Sequence, residues 1–257
     1  MRYKLKRLIP IMLIQDRLLY KTSKFSRASY IGDPIVSLKI FNEKEVDELM
    51  ILDICRANSN NKPDFHFLSK LASEAFMPLS YGGGISSIDD AKQILEMGFE
   101  KIVLNTCLQT NFHLLTEIVA DFGSQAVVAS IDYKIDIFGR RLCYFNNGKI
   151  KSNTTPLDFC NKCIDAGVGE ILLQCISYEG CMDKMDLNFI SDLVQKLPVP
   201  VIGTGGTPSY NYIKKYFEKT SASALAAGSI FVYYGPHNAV LINYPDYEKK
   251  EKLLNER

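Results

Sequence analysis

Met77-Pro78-Leu79-Ser80-Tyr81-Gly82-Gly83-Gly84 is a short apolar run that ends in three glycines, followed by a helix-patterned stretch and then by Lys101-Ile102-Val103-Leu104-Asn105-Thr106. The same order returns later. Val199-Pro200-Val201-Ile202-Gly203-Thr204-Gly205-Gly206 is followed by a helix-patterned stretch and by Ala226-Ala227-Gly228-Ser229-Ile230. An echo displaced by about half the chain indicates two similar structural halves.

Outward from these blocks, runs rich in apolar and β-branched residues recur at 8–13, 48–54, 77–81, 101–105, 126–132, 170–176, 200–204 and 224–231. Longer stretches with helical spacing separate them. Continuous apolar runs belong to strands buried on both faces, the condition of a parallel sheet covered by helices. Eight such strands in 257 residues fit a closed barrel better than an open sheet. The expectation is an α/β fold, a single (β/α)8 TIM barrel made of two similar half-barrels. It forms one domain over residues 1–257, with a polar tail at about 245–257 that forms a surface helix or frays. Ser87-Ile88-Asp89-Asp90-Ala91 predicts a capped helix start with acidic residues in its first turn. After the fifth strand, residues 140–151 read as a hairpin insertion turning at Asn147-Gly148.

Hydrophobic residues make up 47% and charged residues 23%, ordinary for a globular protein with a sizeable core. A net charge of +1 gives no pull toward nucleic acid or a membrane surface, and neither is expected as a partner. The basic lead and short apolar run at the start resemble a signal peptide. Pro10 interrupts the run, however, and Gln15-Asp16-Arg17 stands where small residues would mark cleavage, so a buried first strand fits better. No run is long enough to span a bilayer, and the expected location is cytoplasmic. Seven cysteines, an odd number set mostly in apolar segments, suit reduced thiols rather than a disulfide framework. Cys160-Asn161-Lys162-Cys163 has the spacing of a metal or redox pair, but it lies within helical spacing and has no second pair. It reads as two helix cysteines, and neither a metal nor a cofactor is expected.

In such barrels the chemistry sits at the C-terminal ends of the strands, where both glycine clusters fall. Glycine leaves backbone N–H groups bare to face a phosphate, helped by the positive end of the following helix. One Gly-Gly would be an ordinary turn. Two in matched halves, each paired with a later Asn105-Thr106 or Gly228-Ser229, point to two phosphate sites. The ligand would be small with a phosphate at each end, or elongated and nucleotide-like. Asp132 ends the fifth strand on the same face and can serve as general acid or base; it reads equally as a helix cap or an ion pair with Lys134. Asp53, closing the second strand, carries the same ambiguity. At the opposite mouth, Arg7, Glu48, Lys101 and Glu170 open strands one, two, four and six. Four alternating charges there read as a stabilising plug, the usual meaning of that face, or as a ring gating a small polar molecule.

The chain resembles the cyclase subunit of imidazole glycerol phosphate synthase over residues 7–231. The resemblance is carried by Arg7-Leu8-Ile9-Pro10, by Asp47-Glu48-Leu49-Met50-Ile51-Leu52-Asp53-Ile54, by residues 78–85, and by Phe122-Gly123-Ser124-Gln125. Ile131-Asp132-Tyr133-Lys134, Gly169-Glu170-Ile171-Leu172-Leu173 and Gly205-Gly206 complete it. It implies a heterodimer with a glutaminase that docks at the barrel bottom near Glu100. Released ammonia would enter through a gate of Arg7, Glu48, Lys101 and Glu170. The substrate phosphates would meet Gly83, Gly84, Asn105, Gly180, Gly205, Gly206 and Ser229, with Lys21 on a mobile loop that helps hold the substrate. The family's acid/base pair lies at the ends of strands one and five. Asp132 keeps one position, whereas the other holds Leu13, which cannot transfer a proton; loss of such a partner costs roughly 10² to 10⁴ in rate. The strand-six loop also departs, with Ser177-Tyr178-Glu179-Gly180-Cys181 placing Glu179 where the family has an aspartate.

A paralogue subgroup of bacterial surface-polysaccharide clusters departs similarly. The chain is similar to it in Phe41-Asn42-Glu43-Lys44-Glu45-Val46-Asp47-Glu48-Leu49-Met50 and in Ala239-Val240-Leu241-Ile242-Asn243-Tyr244-Pro245. That likeness implies ammonia delivery, with a separate ATP-dependent sugar amidotransferase, for turning an acetamido into an acetamidino group on a nucleotide-activated sugar. Three alternatives stand beside it. These are a genuine histidine-pathway cyclase tolerating Leu13, a non-catalytic ammonia-channelling scaffold, and a ketose isomerase of the related histidine barrel, which also needs the strand-one carboxylate.

Overall fold

The computed structural model describes residues 6–56 and 62–255; the basic lead and the last two residues of the tail lie outside the described residues. Eight parallel strands form the wall: β1 (Arg7–Gln15), β2 (Leu49–Asp53), β3 (Leu79–Gly82), β4 (Lys101–Leu104), β5 (Val127–Ile135), β6 (Glu170–Cys175), β7 (Val201–Thr204) and β8 (Ala224–Ala227). Each pairs with the next in sequence, and β8 returns to β1 through the register Arg7↔Ala224 to Pro10↔Ala227. Closure leaves the wall without an unpaired edge, as a (β/α)8 barrel requires.

Side chains alternate across each strand, and the sequence sorts them into two cores. Ile9, Ile11 and Leu13 of β1 face the lumen with Met50, Val103, Val128, Leu172, Ile202, Ala224 and Ala226. Leu8, Met12 and Ile14 of the same strand face outward, where they meet the helices. The helices supply apolar faces to that outer layer: Ile94 on Ile88–Glu96, Ile118 on His113–Phe122, Ile190 and Leu193 on Leu187–Lys196. Ser87 caps its helix as its sequence predicts, in a reciprocal box with Asp90. Cys160 and Cys163 are buried on the helix Pro156–Asp165 as free thiols, and burial pushes Cys163 up to about 12.

The structure moves several expected boundaries. β5 runs three residues past Asp132, while β8 stops at Ala227, because Gly228 leads into a 3-10 turn at Ser229–Phe231. The 140–151 insertion is a hairpin of Arg141–Phe145 and Ile150–Lys151. Its turn is longer than the expected Asn147-Gly148 pair, with left-handed backbone at Asn146, Asn147 and Gly148. The tail is a helix, Tyr247–Asn255, whose Leu253 and Leu254 are buried. A second hairpin, Leu18–Ser23 with Ser26–Gly32, extends β1 over the top of the barrel and was not expected. Among the described residues no helix is long and apolar enough to cross a membrane.

Candidate functional site

The bottom mouth is built by residues of lumen parity. Arg7 lies two residues below Ile9, Glu48 two below Met50, Lys101 two below Val103 and Glu170 two below Leu172, so all four side chains enter the same bottom layer. Glu48 itself precedes β2 by one residue. Arg7 Nη1 donates to Glu48 Oε2 at 2.6 Å, and Nη2 donates to Glu170 Oε1. Lys101 Nζ lies 3.0 Å from Glu48 Oε2 and 3.0 Å from Glu170 Oε2. The four charges thus close a ring. Burial works against the Arg7 charge, but Glu170 and Glu48 outweigh it and raise its pKa. Glu48 Oε1 is buried with no hydrogen-bond partner among the described residues, an acceptor left open inside the mouth. Glu100, just before β4 on the same face, is exposed.

Just above the ring the lumen is apolar, at Ile9, Met50, Val103 and Leu172, and it turns polar toward the strand ends at Asn105 and Gln174. There a cavity of about 540 Å³ is lined by Leu13, Asp53, Gly83, Gly84, Asn105, Asp132 and Gln174, among others. Gly83 has φ +136°, and a Cβ there would lie 2.7 Å from Asp53 Cβ, so only glycine lets the β3 turn pass the end of β2. A smaller space of about 40 Å³ adjoins it, lined by Lys21, Gly180, Gly205, Gly206 and Ser229. Leu13 and Gln174 line both. All eight residues expected to hold phosphate therefore converge on one mouth, with Leu13 and Gln174 between the two groups.

Asp132 is buried, and desolvation pushes its pKa up to about 7, opposed by a 2.9 Å hydrogen bond from Ser130 Oγ to Oδ1. Asn105 Nδ2 donates to the Ser130 carbonyl at 2.9 Å, which ties β4 to β5 beneath it. The alternative pairing with Lys134 is corrected: Lys134 Nζ donates to the Gly148 carbonyl at 2.7 Å and lies over the Tyr144 ring. Nor is Asp132 a helix cap, since its strand continues to Ile135. Asp53 accepts from the backbone N–H of Cys55 and Arg56 and faces the Arg56 guanidinium at 3.5 Å; burial still raises its pKa.

Lys21 Nζ reaches the Ile11 carbonyl at 2.7 Å, and burial lowers its pKa to about 8 against the pull of Glu179. Glu179 does not point at the ligand space alone. It accepts from Thr22 Oγ1 at 2.9 Å and Phe25 N at 3.0 Å, so it holds the Leu18–Gly32 hairpin down over the smaller space. Gly180 fits beneath because a Cβ there would collide with the Thr22 carbonyl.

Two residues that line these spaces were not expected from the sequence. Gln174 is buried at 6% exposure on β6 and lines both spaces; its parity with Glu170 and Leu172 was a sufficient signal. Arg56 lines the larger space beside Asp53, and no periodic pattern marks it.

Residues 7–238 match the family model of the histidine biosynthesis proteins. The chain is 42% identical to a candidate imidazole glycerol phosphate synthase subunit, hisF2, of Pseudomonas aeruginosa, over 95% of this chain and 97% of that protein. It is 41% identical to a candidate HisF subunit of Leptospira interrogans, over 96% and 98% respectively. It is 33% identical to the imidazole glycerol phosphate synthase subunit HisF of Streptococcus sanguinis, over 89% and 90%. With a closed barrel, two adjoining spaces at its top and similarity along nearly its whole length, the chain belongs to the histidine biosynthesis protein family, among its HisF-like imidazole glycerol phosphate synthase subunits.

Proposed function

We propose that the chain is a synthase-like subunit that receives ammonia from a glutaminase partner, in a heterodimer that docks near Glu100. Arg7, Glu48, Lys101 and Glu170 form the entrance. The open acceptor on Glu48 and the apolar lumen above it suit a small neutral molecule that can shed its hydrogen bonds for a short distance. Lys21, Gly83, Gly84, Asn105, Gly180, Gly205, Gly206 and Ser229 hold the phosphate groups of a small substrate, with Asp132 as the remaining acid/base group.

The observation that carries the finer reading is Leu13. It stands at the junction of the two spaces, where imidazole ring closure would need a second proton-transfer group. We therefore assign the ammonia to amidination, the conversion of an acetamido to an acetamidino group on a nucleotide-activated sugar for lipopolysaccharide, O-antigen or another surface glycan. A separate ATP-dependent amidotransferase activates the carbonyl oxygen that nitrogen replaces.

The test is a reconstitution of the three proteins with glutamine labelled at its amide nitrogen. Label should reach the amidino group, Glu48→Gln should lower that transfer, and added ammonium should restore it. Absence of label in the sugar would overturn the assignment. Asp132, with a pKa near neutrality, favours a second reading as a genuine cyclase, or lyase, of histidine biosynthesis. Turnover of ammonium with the two-phosphate histidine precursor at the rate of ordinary HisF subunits would establish that reading and remove the first. A non-catalytic scaffold would instead show unchanged amidination in Asp132→Asn.

A further inference from the structure

Between β1 and β2 the paired register begins at Ile11↔Met50, so the lower end of β1 has no β2 residue opposite it on that side. In a parallel ladder the N–H and C=O of one residue face the same neighbour. For Leu8 that neighbour is missing, and side chains take its place. Leu8 N–H donates to Asp47 Oδ2 at 3.0 Å, and its carbonyl accepts from the Tyr244 hydroxyl at 2.9 Å. Leu8 follows Arg7 and Asp47 precedes Glu48, so these two side chains close the seam whose ends carry the Arg7–Glu48 contact of 2.6 Å.

Both fasteners belong to, or are held by, the C-terminal segment. Lys250 Nζ on the helix Tyr247–Asn255 reaches Asp47 Oδ1 at 2.6 Å, with only 12% of its side chain exposed. Tyr244 is fixed in turn by ring packing on Phe231, centroids 5.3 Å apart. Lys6, one residue below the strand, donates to the Leu254 carbonyl.

We propose that residues 244–254 are a clasp that sets the opening of the bottom mouth by completing the β1–β2 seam beside the charged ring. Asp47, Tyr244 and Lys250 are positioning residues, since none of them enters the ring. The consequence for ammonia rests on the entrance proposed above; the clasp itself does not.

Three variants of the full chain test it. Tyr244→Phe removes the hydroxyl and keeps the ring packing, Lys250→Met removes the charge, and Lys250→Arg keeps it. Amide hydrogen exchange and labelling of Lys101 by an amine-reactive reagent are then read by mass spectrometry. The first two variants should speed exchange of the Leu8 amide by on the order of tenfold and raise Lys101 labelling, with the helix Ile88–Glu96 unchanged. Lys250→Arg should behave as the parent chain. Unchanged exchange and labelling would overturn the clasp, and so would a uniform rise across the barrel. These readouts use no ammonia, so failure of the entrance reading shows separately, in the Glu48→Gln label transfer.

Discussion

Replacing Asp132 by asparagine keeps the size of the side chain and its contact with Ser130 while removing the proton it can carry. In the folded protein burial moves this carboxyl from 3.8 to about 7. Below pH 4 the group is neutral whether the chain is folded or not, and burial has nothing to oppose. Between pH 4 and 7 the unfolded chain gives up the proton and the folded chain keeps it, so stability falls as pH rises; above 7 the loss levels off. At 1.36 kcal/mol per tenfold in acidity, the full loss is about 4 kcal/mol. Asp132→Asn has no proton to lose. Its stability should match the parent chain near pH 4 and exceed it by up to about 4 kcal/mol at pH 8, or about 10 °C in midpoint for a chain of this size. Denaturant or thermal unfolding of both proteins at pH 4.5, 6 and 8 measures this, with every other titrating group cancelling in the difference. Equal stabilities throughout, or an advantage that shrinks as pH rises, would refute the reasoning.

Lys101→Met leaves two buried carboxylates sharing Arg7 alone; it should cost about 3 kcal/mol in denaturant unfolding, and no loss would mean that the ring carries little charge–charge stabilisation. Tyr216→Phe removes a buried hydroxyl that accepts from Gly203 N–H and donates to the Ala224 carbonyl between β7 and β8, so unfolding should show a loss of about 1–3 kcal/mol. Glu179→Ala frees the Leu18–Gly32 hairpin from its two side-chain bonds; limited proteolysis should then cut the hairpin first, while the parent chain resists at that point.

The eight strands were legible because burial on both faces writes a continuous apolar run, and the glycine clusters because a turn beside a strand end leaves no room for Cβ. The Leu18–Gly32 hairpin was not legible, for a specific reason. Its two-residue turns, Asp16-Arg17 and Lys24-Phe25, hold left-handed backbone at all four positions without a glycine or an asparagine. The usual Asn-Gly signal is absent, and the strain is sustained by contacts from elsewhere, Glu179 among them. The tail read as polar and peripheral because its two buried leucines are outnumbered by charged residues; what holds it is Asp47, distant in sequence.

The sequence by itself determined the barrel, its two matched halves and the mouth to which each charged or glycine-rich cluster belongs. Those are properties of period and strand order, which are local. Only the tertiary structure decided that the four bottom charges meet in one ring, that Leu13 and Gln174 stand between two adjoining spaces, that Asp132 titrates near neutrality and that the C-terminal helix fastens β1 to β2. Each of these depends on distance and desolvation between residues far apart in the chain, and closure of the barrel is what sets both.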